Sequence, residues 1–525
     1  MLPSLADVQA LLADILSQLG HVDPSSVSIP ALGAGAVALY YTVSSLWSWF
    51  RLRHVPGPFL ASFSYLWLMR TNALGISSTQ LNRIRKQYGS VVRIAPNYVL
   101  TTDTHALRRI SAPRSSYVRD SWWEGVRIDV ETDNMLTTMD NTAHDVLKAK
   151  TTNGYNGRDN VDVEAGIGTQ VDKLKDLIRR NYLASSDPSK PPAKADLVWL
   201  IRYFTLDSVT ALAYGEPLGY LDADDDLYGF NKQVGDMTVQ VAVMLNTPVL
   251  RTIINSPLGP SLMPKATDKD GMGKLIGIGQ GLVAKHFKED KDGSSTDMVS
   301  SFRRHGLSQK QCEAECQVQI IAGSDTTGTT IRTALFFTLS TPRIHAKLLD
   351  EINKAVDEGL VEEGETITYK QAKKLPYLQA VIYEAIRMRP PALYGHFKVV
   401  PPEGDTIDGV FLPGGTAVSH NIFGIMMSED IFGADAEIFR PERLLECPAE
   451  HKAEMERVIE LAFGSGRWLC AGKLVAFTQL SKVIFELLRE FDMQLVNPLK
   501  PLEEDSAVFW RQKNLLVQIR ERESL

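Results

Sequence analysis

The stretch Phe463-Gly-Ser-Gly-Arg-Trp-Leu-Cys-Ala-Gly472 decides how this chain reads. Gly464, Gly466 and Gly472 frame Cys470. Glycine permits turns that other residues resist and lets backbone approach a flat ligand closely. Beyond the loop, Phe477, Leu480, Ile484, Leu487 and Leu488 fall on one face of an expected helix, Leu474–Phe491. That helix is expected to begin near Ala471, so its first amides lie close to the sulfur and favour thiolate over thiol. A thiolate in such a frame suits axial coordination of haem iron. Cys312, Cys316 and Cys447 have no such frame. Cys312 and Cys316, four apart with no matching His or Cys pair, read as helix-packing residues.

Three further patterns lie upstream. Glu384-Ala-Ile-Arg387 sits in a helical stretch, Tyr377–Met388, where the spacing puts both charges on one face. Phe439-Arg-Pro-Glu-Arg443 supplies another arginine. Cys316–Ser340 reads as one long helix whose middle, Gly323 to Thr330, is built from poor helix formers. A local violation inside a strong element marks a functional position. There Thr326 is able to bond back to a carbonyl and bend the helix, and Asp325 supplies a titratable acid. His144 and Lys148 share a helix face, and Pro390-Pro391 leads to His396 and Lys398.

In this order the segments resemble the motifs of the cytochrome P-450 superfamily. Phe463, Gly466, Cys470 and Gly472 match its haem-binding loop, Phe-x-x-Gly-x-Arg/His-x-Cys-x-Gly. Trp468 stands where Arg or His is usual, and Arg467 lies one place earlier, so either the indole N–H or Arg467 meets a haem propionate. The resemblance implies haem b with Cys470 as the axial iron ligand. It implies a buried ion network of Glu384, Arg387 and Arg443 under the haem. It also implies that Asp325 and Thr326, in Ala322-Gly-Ser-Asp-Thr-Thr327, manage protons for dioxygen chemistry. His144, Lys148, and His396 or Lys398 are the implied propionate contacts, with Lys148 replacing an arginine and losing its bidentate geometry. Family placement puts the substrate against Tyr117–Val126 with Trp122 and Trp123, Val239–Val249, Ile320–Thr326, Ala392–Gly395 and Ala507–Phe509. These segments are largely apolar, which implies a lipophilic substrate.

Composition agrees. The chain has 525 residues, 44% hydrophobic and 8% aromatic, too apolar for a disordered protein. A net charge of −7 leaves no basic footprint for nucleic acid. Four cysteines are no disulfide framework. Gly277–Gly281 (GIGQG) lacks dinucleotide spacing, Gly472-Lys473 is followed by Leu474 rather than Ser or Thr, and there is no His-Glu-x-x-His. Most of the chain reads as amphipathic helix, including Arg343–Val356. Strand-like pieces are short: Val91–Ile94, Tyr98–Thr102, Lys398–Val400 and Val410–Leu412. The expected fold is mainly α with a minor β-sheet. Ala184–Lys194 and Lys288–Asp297 read as polar loops. Length alone favours about three domains of ~150 residues, but the motifs must converge on one haem, so 59–525 reads as one catalytic domain.

Ile29–Phe50 holds no charged residue and is long enough as a helix to cross a hydrocarbon core of ~30 Å. Trp47 and Trp49 fall where an interfacial belt lies, and Arg51, Arg53 and His54 follow. The expected order is a lumenal segment 1–28, a transmembrane anchor 29–50, a basic and proline-rich hinge 51–58, then the domain. This implies a single-pass protein of the endoplasmic reticulum membrane with its catalytic domain cytoplasmic. Leucines and other apolar residues recurring from Leu5 to Leu19 read as an amphipathic helix on the membrane surface or packed on protein.

The chain is identified as a member of the superfamily's microsomal type from filamentous fungi, which tailors terpenoids, alkaloids or polyketides in secondary metabolism. The implied activity is a monooxygenase that hydroxylates or epoxidises a lipophilic small molecule with O2. With no flavin or iron–sulfur motif in the chain, electrons are implied to come from NADPH through a separate reductase, with cytochrome b5 as an additional donor. Lys148, Lys150, Arg467 and Lys473 form an expected cationic docking face. Two other readings stay open: a reductase-independent haem-thiolate isomerase or dehydratase, and a non-enzymatic haem-binding protein. Titration of the haem absorption band is expected to show saturable binding of apolar ligands and none of highly charged ones; the reverse preference would refute a lipophilic substrate.

Overall fold

The computed structural model describes residues 29–129, 131–159, 161–184, 193–257, 259–289, 295–362 and 364–522. The 1–28 segment, with its amphipathic pattern, and most of the two expected polar loops lie outside the described residues.

A capping box opens the longest helix: Ser308 Oγ accepts from Gln311 N, and Gln311 reaches back to Ser308 N. The helix then runs 32 residues, Gln309–Ser340, roughly 48 Å. It starts seven residues before the expected Cys316, because the cap lies outside the apolar pattern that marked the helix. Thr341 ends it, and Pro342 opens the next helix, Pro342–Asp357. The weak middle, Gly323–Thr330, stays helical because tertiary packing overrides propensity. The long helix packs on Leu197–Tyr214, Gly271–Glu289, Pro376–Met388 and Lys473–Glu490.

Leu197–Tyr214 is buried on nearly every face and stops at Gly215, which takes a left-handed φ of 77°. Inside it, the fully buried Asp207 accepts from the backbone N–H groups of Gly219, Tyr220 and Leu221 at 2.9, 3.1 and 2.9 Å. The incoming chain is tied down by one carboxylate.

The larger sheet has five strands: β1 (Val91–Ala95), β2 (Tyr98–Thr101), β3 (Val118–Arg119), β4 (Lys398–Val399) and β5 (Ala417–His420), in spatial order β1-β2-β5-β4-β3. β2 and β5 run parallel; the other neighbours are antiparallel. The β3–β4 register sets Arg119 directly opposite Lys398. A second sheet joins Phe491–Leu495, Leu516–Glu521 and Ala195–Asp196, and a hairpin pairs Glu503–Ser506 with Trp510–Lys513. These C-terminal strands were not expected from the sequence; their alternation is short and mixes charged with apolar positions. The fold is mainly helical with small sheets.

One hydrophobic core includes residues from Leu68 to Ile519. A smaller one joins Leu52 and Val55 to Val91, Val99 and Val418 of the sheet. The N-terminal helix spans Ile29–Leu52, so it runs through Arg51 instead of ending at Phe50. Arg51 donates to Gly414 O at 2.7 Å, and Leu52 is fully buried, which extends the helix into the expected hinge. Ser45 Oγ and Tyr41 Oη both donate to Phe63 O. By length and hydropathy together, no single helix among the described residues is apolar enough to cross a membrane.

Asp207→Ala leaves three buried N–H groups without an acceptor. It is expected to lower unfolding free energy by about 3 kcal/mol, read by denaturant titration.

Candidate active site

The cysteine loop is pinned by backbone geometry. Cys470 N donates to Phe463 O at 2.8 Å and closes the loop. Gly466 has a φ of 55°, and a Cβ there would lie 2.0 Å from Ser111 O. Arg467 N donates to that same oxygen at 2.9 Å. From the helix Asn141–Tyr155, Lys148 Nζ donates to Arg467 O at 2.6 Å and Leu469 O at 3.1 Å. Phe463 packs on Phe477, with ring centroids 5.4 Å apart.

Cys470 has accessible surface yet lies among many protein atoms. Burial pushes its thiol up, against the Gly472 N–H and the charges of Lys148 and Lys473. The amide pull expected at the helix terminus is present in the Gly472 N–H, which caps a helix that begins at Lys473, but desolvation outweighs it. A coordinated metal removes the thiol proton outright.

Beside the loop stands a cluster of buried cations. Arg119 donates to Met135 O (2.9 Å) and Thr138 O (2.7 Å), while its Nε is buried without a partner. Its guanidinium lies 4.5 Å over Trp123. Lys398 donates to His396 O and sits 4.6 Å over Trp468 and 5.2 Å over Trp123. His396, at a φ of 58°, stacks on Trp123 with centroids 4.9 Å apart. Burial lowers Arg119 to about 9. It also lowers His144 to about 4, with Arg119 adding to the effect. Lys398 and His396 are lowered well below their usual values, by burial first and neighbouring positive charge second. Like charges set opposite each other across strands repel. Trp468 Nε1 is a further buried donor without a partner.

This donor set asks for an anion, and a flat ligand bearing carboxylates fits it beside an accessible cysteine sulfur. Haem is such a ligand. Of the two propionate donors left open by the sequence, Trp468 belongs to the cluster. Arg467 grips Asp145 at 3.0 and 3.1 Å and donates to Pro113 O, while its Nη1, like Trp468 Nε1, is buried without a partner, so both donors stay open. Lys148 gives two of its three N–H groups to loop carbonyls. Of the four cations in the expected docking face, Lys150 donates to Gly306 O, Lys473 pairs with Glu460 and Arg467 pairs with Asp145.

Glu384 and Arg387 are fully buried and share two parallel bonds, Nε–Oε2 at 2.8 Å and Nη2–Oε1 at 2.7 Å. Arg443 Nε reaches Glu384 Oε1 at 3.0 Å, and Arg440 N donates to the same oxygen at 2.9 Å. The spacing expected from sequence is thus a closed buried network.

On the long helix, Thr326 Oγ1 donates back to Ala322 O at 2.7 Å. Asp325 Oδ1 is 3.1 Å from Arg332 Nη2 and 3.7 Å from Arg202 Nε. Arg332 is fully buried and also donates to Gln512 Oε1 at 2.9 Å. Trp122 and Trp123, expected to face substrate, are buried instead. Their indoles donate to Asn246 Oδ1 (3.2 Å) and Phe397 O (3.0 Å), which directs them into packing. Ala392 and Phe509, from two expected substrate segments, form a bridge.

The family profile Cytochrome P450 matches residues 55–519. The chain belongs to the cytochrome P450 family. This P450 is 43% identical over 497 residues to Cytochrome P450 monooxygenase ABA1 of Pyricularia oryzae, covering 93% of this chain and 96% of that protein. It is 41% identical over 474 residues to Cytochrome P450 monooxygenase aba1 of Botryotinia fuckeliana, covering 90% and 92%. To Cytochrome P450 monooxygenase abl1 of Leptosphaeria maculans it is 39% identical over 466 residues, covering 87% and 80%. It is therefore a monooxygenase, an oxidoreductase whose family works with thiolate-ligated haem and a redox partner.

Sequence reasoning missed Arg119, Arg202 and Arg332, whose partners come largely from other strands and helices. The double-tryptophan step beside Arg119 was the one signal available. Glu384→Ala or Arg387→Ala strands one buried charge, at a cost of ~3–5 kcal/mol. Either variant is expected to purify with little haem; normal haem absorbance per protein would refute the role given to the pair.

Proposed function

We propose that this P450 inserts one atom of O2 into a lipophilic small molecule, by hydroxylation or epoxidation, as a tailoring step in fungal secondary metabolism. The observation that carries this is the glycine-framed Cys470, held by Lys148 beside the unpaired donors Arg119 and Trp468. The full-length likeness to three fungal monooxygenases supports the tailoring role.

When bound, haem b supplies oxygen activation and accepts the electrons. The chain's own groups do the rest. Cys470 would ligate the iron, within the loop of Phe463, Gly466 and Gly472. Trp468, Lys398 and Arg119 would hold the propionates, with His396 and His144 packed alongside as neutral rings. Glu384, Arg387 and Arg443 keep the support beneath the loop rigid. Thr326 Oγ1 holds a proton at the groove, and Asp325, on leaving Arg332 and Arg202, would carry protons to it from solvent. Water is kept out by the apolar faces of the surrounding helices.

NADPH is the proposed electron source, through a separate reductase, with cytochrome b5 as an additional donor. The helix Ile29–Leu52, about 36 Å long, is the proposed anchor in the endoplasmic reticulum membrane. Its exposed Leu39, Val43, Leu46 and Phe50 support this reading. Residues 59–525 then form the cytoplasmic catalytic domain.

Coexpression with a reductase, NADPH and 18O2 is expected to give one labelled oxygen per product from candidate lipophilic precursors. Thr326→Ala is expected to slow product formation about 10²-fold at unchanged haem content. Turnover without reductase or label from 18O2 would instead return an isomerase or dehydratase.

A further inference from the structure

Glu315 is a titratable group that neither the ion network nor the proton path uses. It is fully buried and has no cation beside it among the described residues. Its Oε1 accepts from Met135 N at 2.6 Å, and its Oε2 is buried without a partner. Gln319, one turn further along the helix, gives its N–H to Tyr155 Oη instead. A carboxyl in that setting costs stability whenever it ionises. A group kept at such a cost marks a functional position.

What Glu315 holds is the turn 134–138, which is bonded largely within itself. Asn134 Oδ1 accepts from Leu136 N at 2.9 Å and from Thr137 N at 3.1 Å. Thr137 Oγ1 accepts from Asn134 N at 3.1 Å, and Thr138 Oγ1 donates to Asn134 O at 2.7 Å. The groups that reach outward meet two side chains. Met135 N goes to Glu315, while Met135 O and Thr138 O both accept from Arg119 Nη1. Bonded in this way, the turn shifts as one body, so the hold on Met135 N decides where the two carbonyls sit. Arg119 Nε has no partner, so those carbonyls set the plane of the guanidinium.

We propose that Glu315 is a positioning residue for the haem site: it fixes the turn 134–138 and, through it, the guanidinium of Arg119 that meets a propionate. This rests on the proposed function, in which Arg119 holds a propionate. The hold is strongest when Glu315 is ionised, because a carboxylate accepts a hydrogen bond about twice as strongly as a neutral acceptor does. Burial pushes Glu315 up to about 7, against the Met135 N–H. The hold therefore tightens as pH rises through 7 and slackens as it falls. Its contribution to folding has the other sign: a raised carboxyl favours the fold at low pH and loses that favour as pH rises through 7. The titratable groups around Glu315 stay neutral meanwhile. Tyr155, from the helix Asn141–Tyr155, Tyr214, from the helix Leu197–Tyr214, and Cys316 are raised well above their usual values, and Cys312 to about 12, each by burial first. The helix Met298–Arg304 and its cap place Arg303 and Asp297 near Cys312, and Asp133, at the head of the turn, pairs with Arg127.

The test follows haem leaving the ferric holoprotein for an excess of apomyoglobin, read by absorbance between about pH 6 and about pH 8.5, and needs no turnover. In the wild type the rate of loss is expected to rise about fivefold as pH falls through 7. Glu315→Gln keeps an acceptor for Met135 N but no charge. It is expected to lose haem at the wild type's fast rate throughout, with a flat profile. Arg119→Gln is expected to lose haem faster than the wild type at the high-pH end. Two results would overturn the proposal: a flat profile in the wild type, which needs no variant, or a Glu315→Gln profile that matches the wild type's while Arg119→Gln loses haem faster. If Arg119→Gln keeps haem as the wild type does, the propionate role of Arg119 is what fails, and the proposal falls with it.

Discussion

Arg387 has five N–H groups, and every one is used. Two go to Glu384, and the rest go to the carbonyls of Met426, Ala436 and Ile438. A buried ion pair contributes to stability only when its remaining hydrogen bonds are made, because desolvation otherwise exceeds the Coulombic gain. Here they are made by backbone from outside the helix Pro376–Met388, so the pair fixes the path of the chain from Met426 to Arg443. That path leads into the cysteine loop. Arg443 repeats the device, joining Glu384 to Asp435 and to the carbonyl of Phe432. The loop is therefore held from one side by side chains that never touch it, and from the other by Lys148 and Ser111.

The electrostatics of the cleft are the opposite case. Arg119 and Lys398 face each other across neighbouring strands, with His396 and His144 near them, and burial lowers every one of these groups. Left to themselves such groups weaken the fold. A protein that keeps them uses stability to prepare a place for negative charge. Asp325 differs, because Arg332 and Arg202 meet its charge within the protein.

The parts legible in the sequence are those whose chemistry lies within one short span. The glycines around Cys470, the spacing of Glu384 and Arg387, and the weak helical middle at Asp325 and Thr326 each read locally. All three form the elements expected of them. The reading failed where a residue's role depends on what packs against it. Trp122 and Trp123 were expected to face substrate, yet their indole N–H groups are taken by Asn246 and the Phe397 carbonyl. Lys148 also ties down two carbonyls of the cysteine loop, a task that no local pattern announced. Arg119 carried no local mark beyond the two tryptophans that follow it.

The sequence alone determined the family, the cysteine and the order of the elements around it, because glycine placement and helical spacing are properties of neighbours along the chain. Tertiary structure decided which donors remain unpaired and therefore await a ligand. Lys148 finds its acceptor 319 residues away, and Arg332 finds Gln512 at a separation of 180. Satisfaction of a buried polar group is a statement about everything that surrounds it. No window of sequence contains that information.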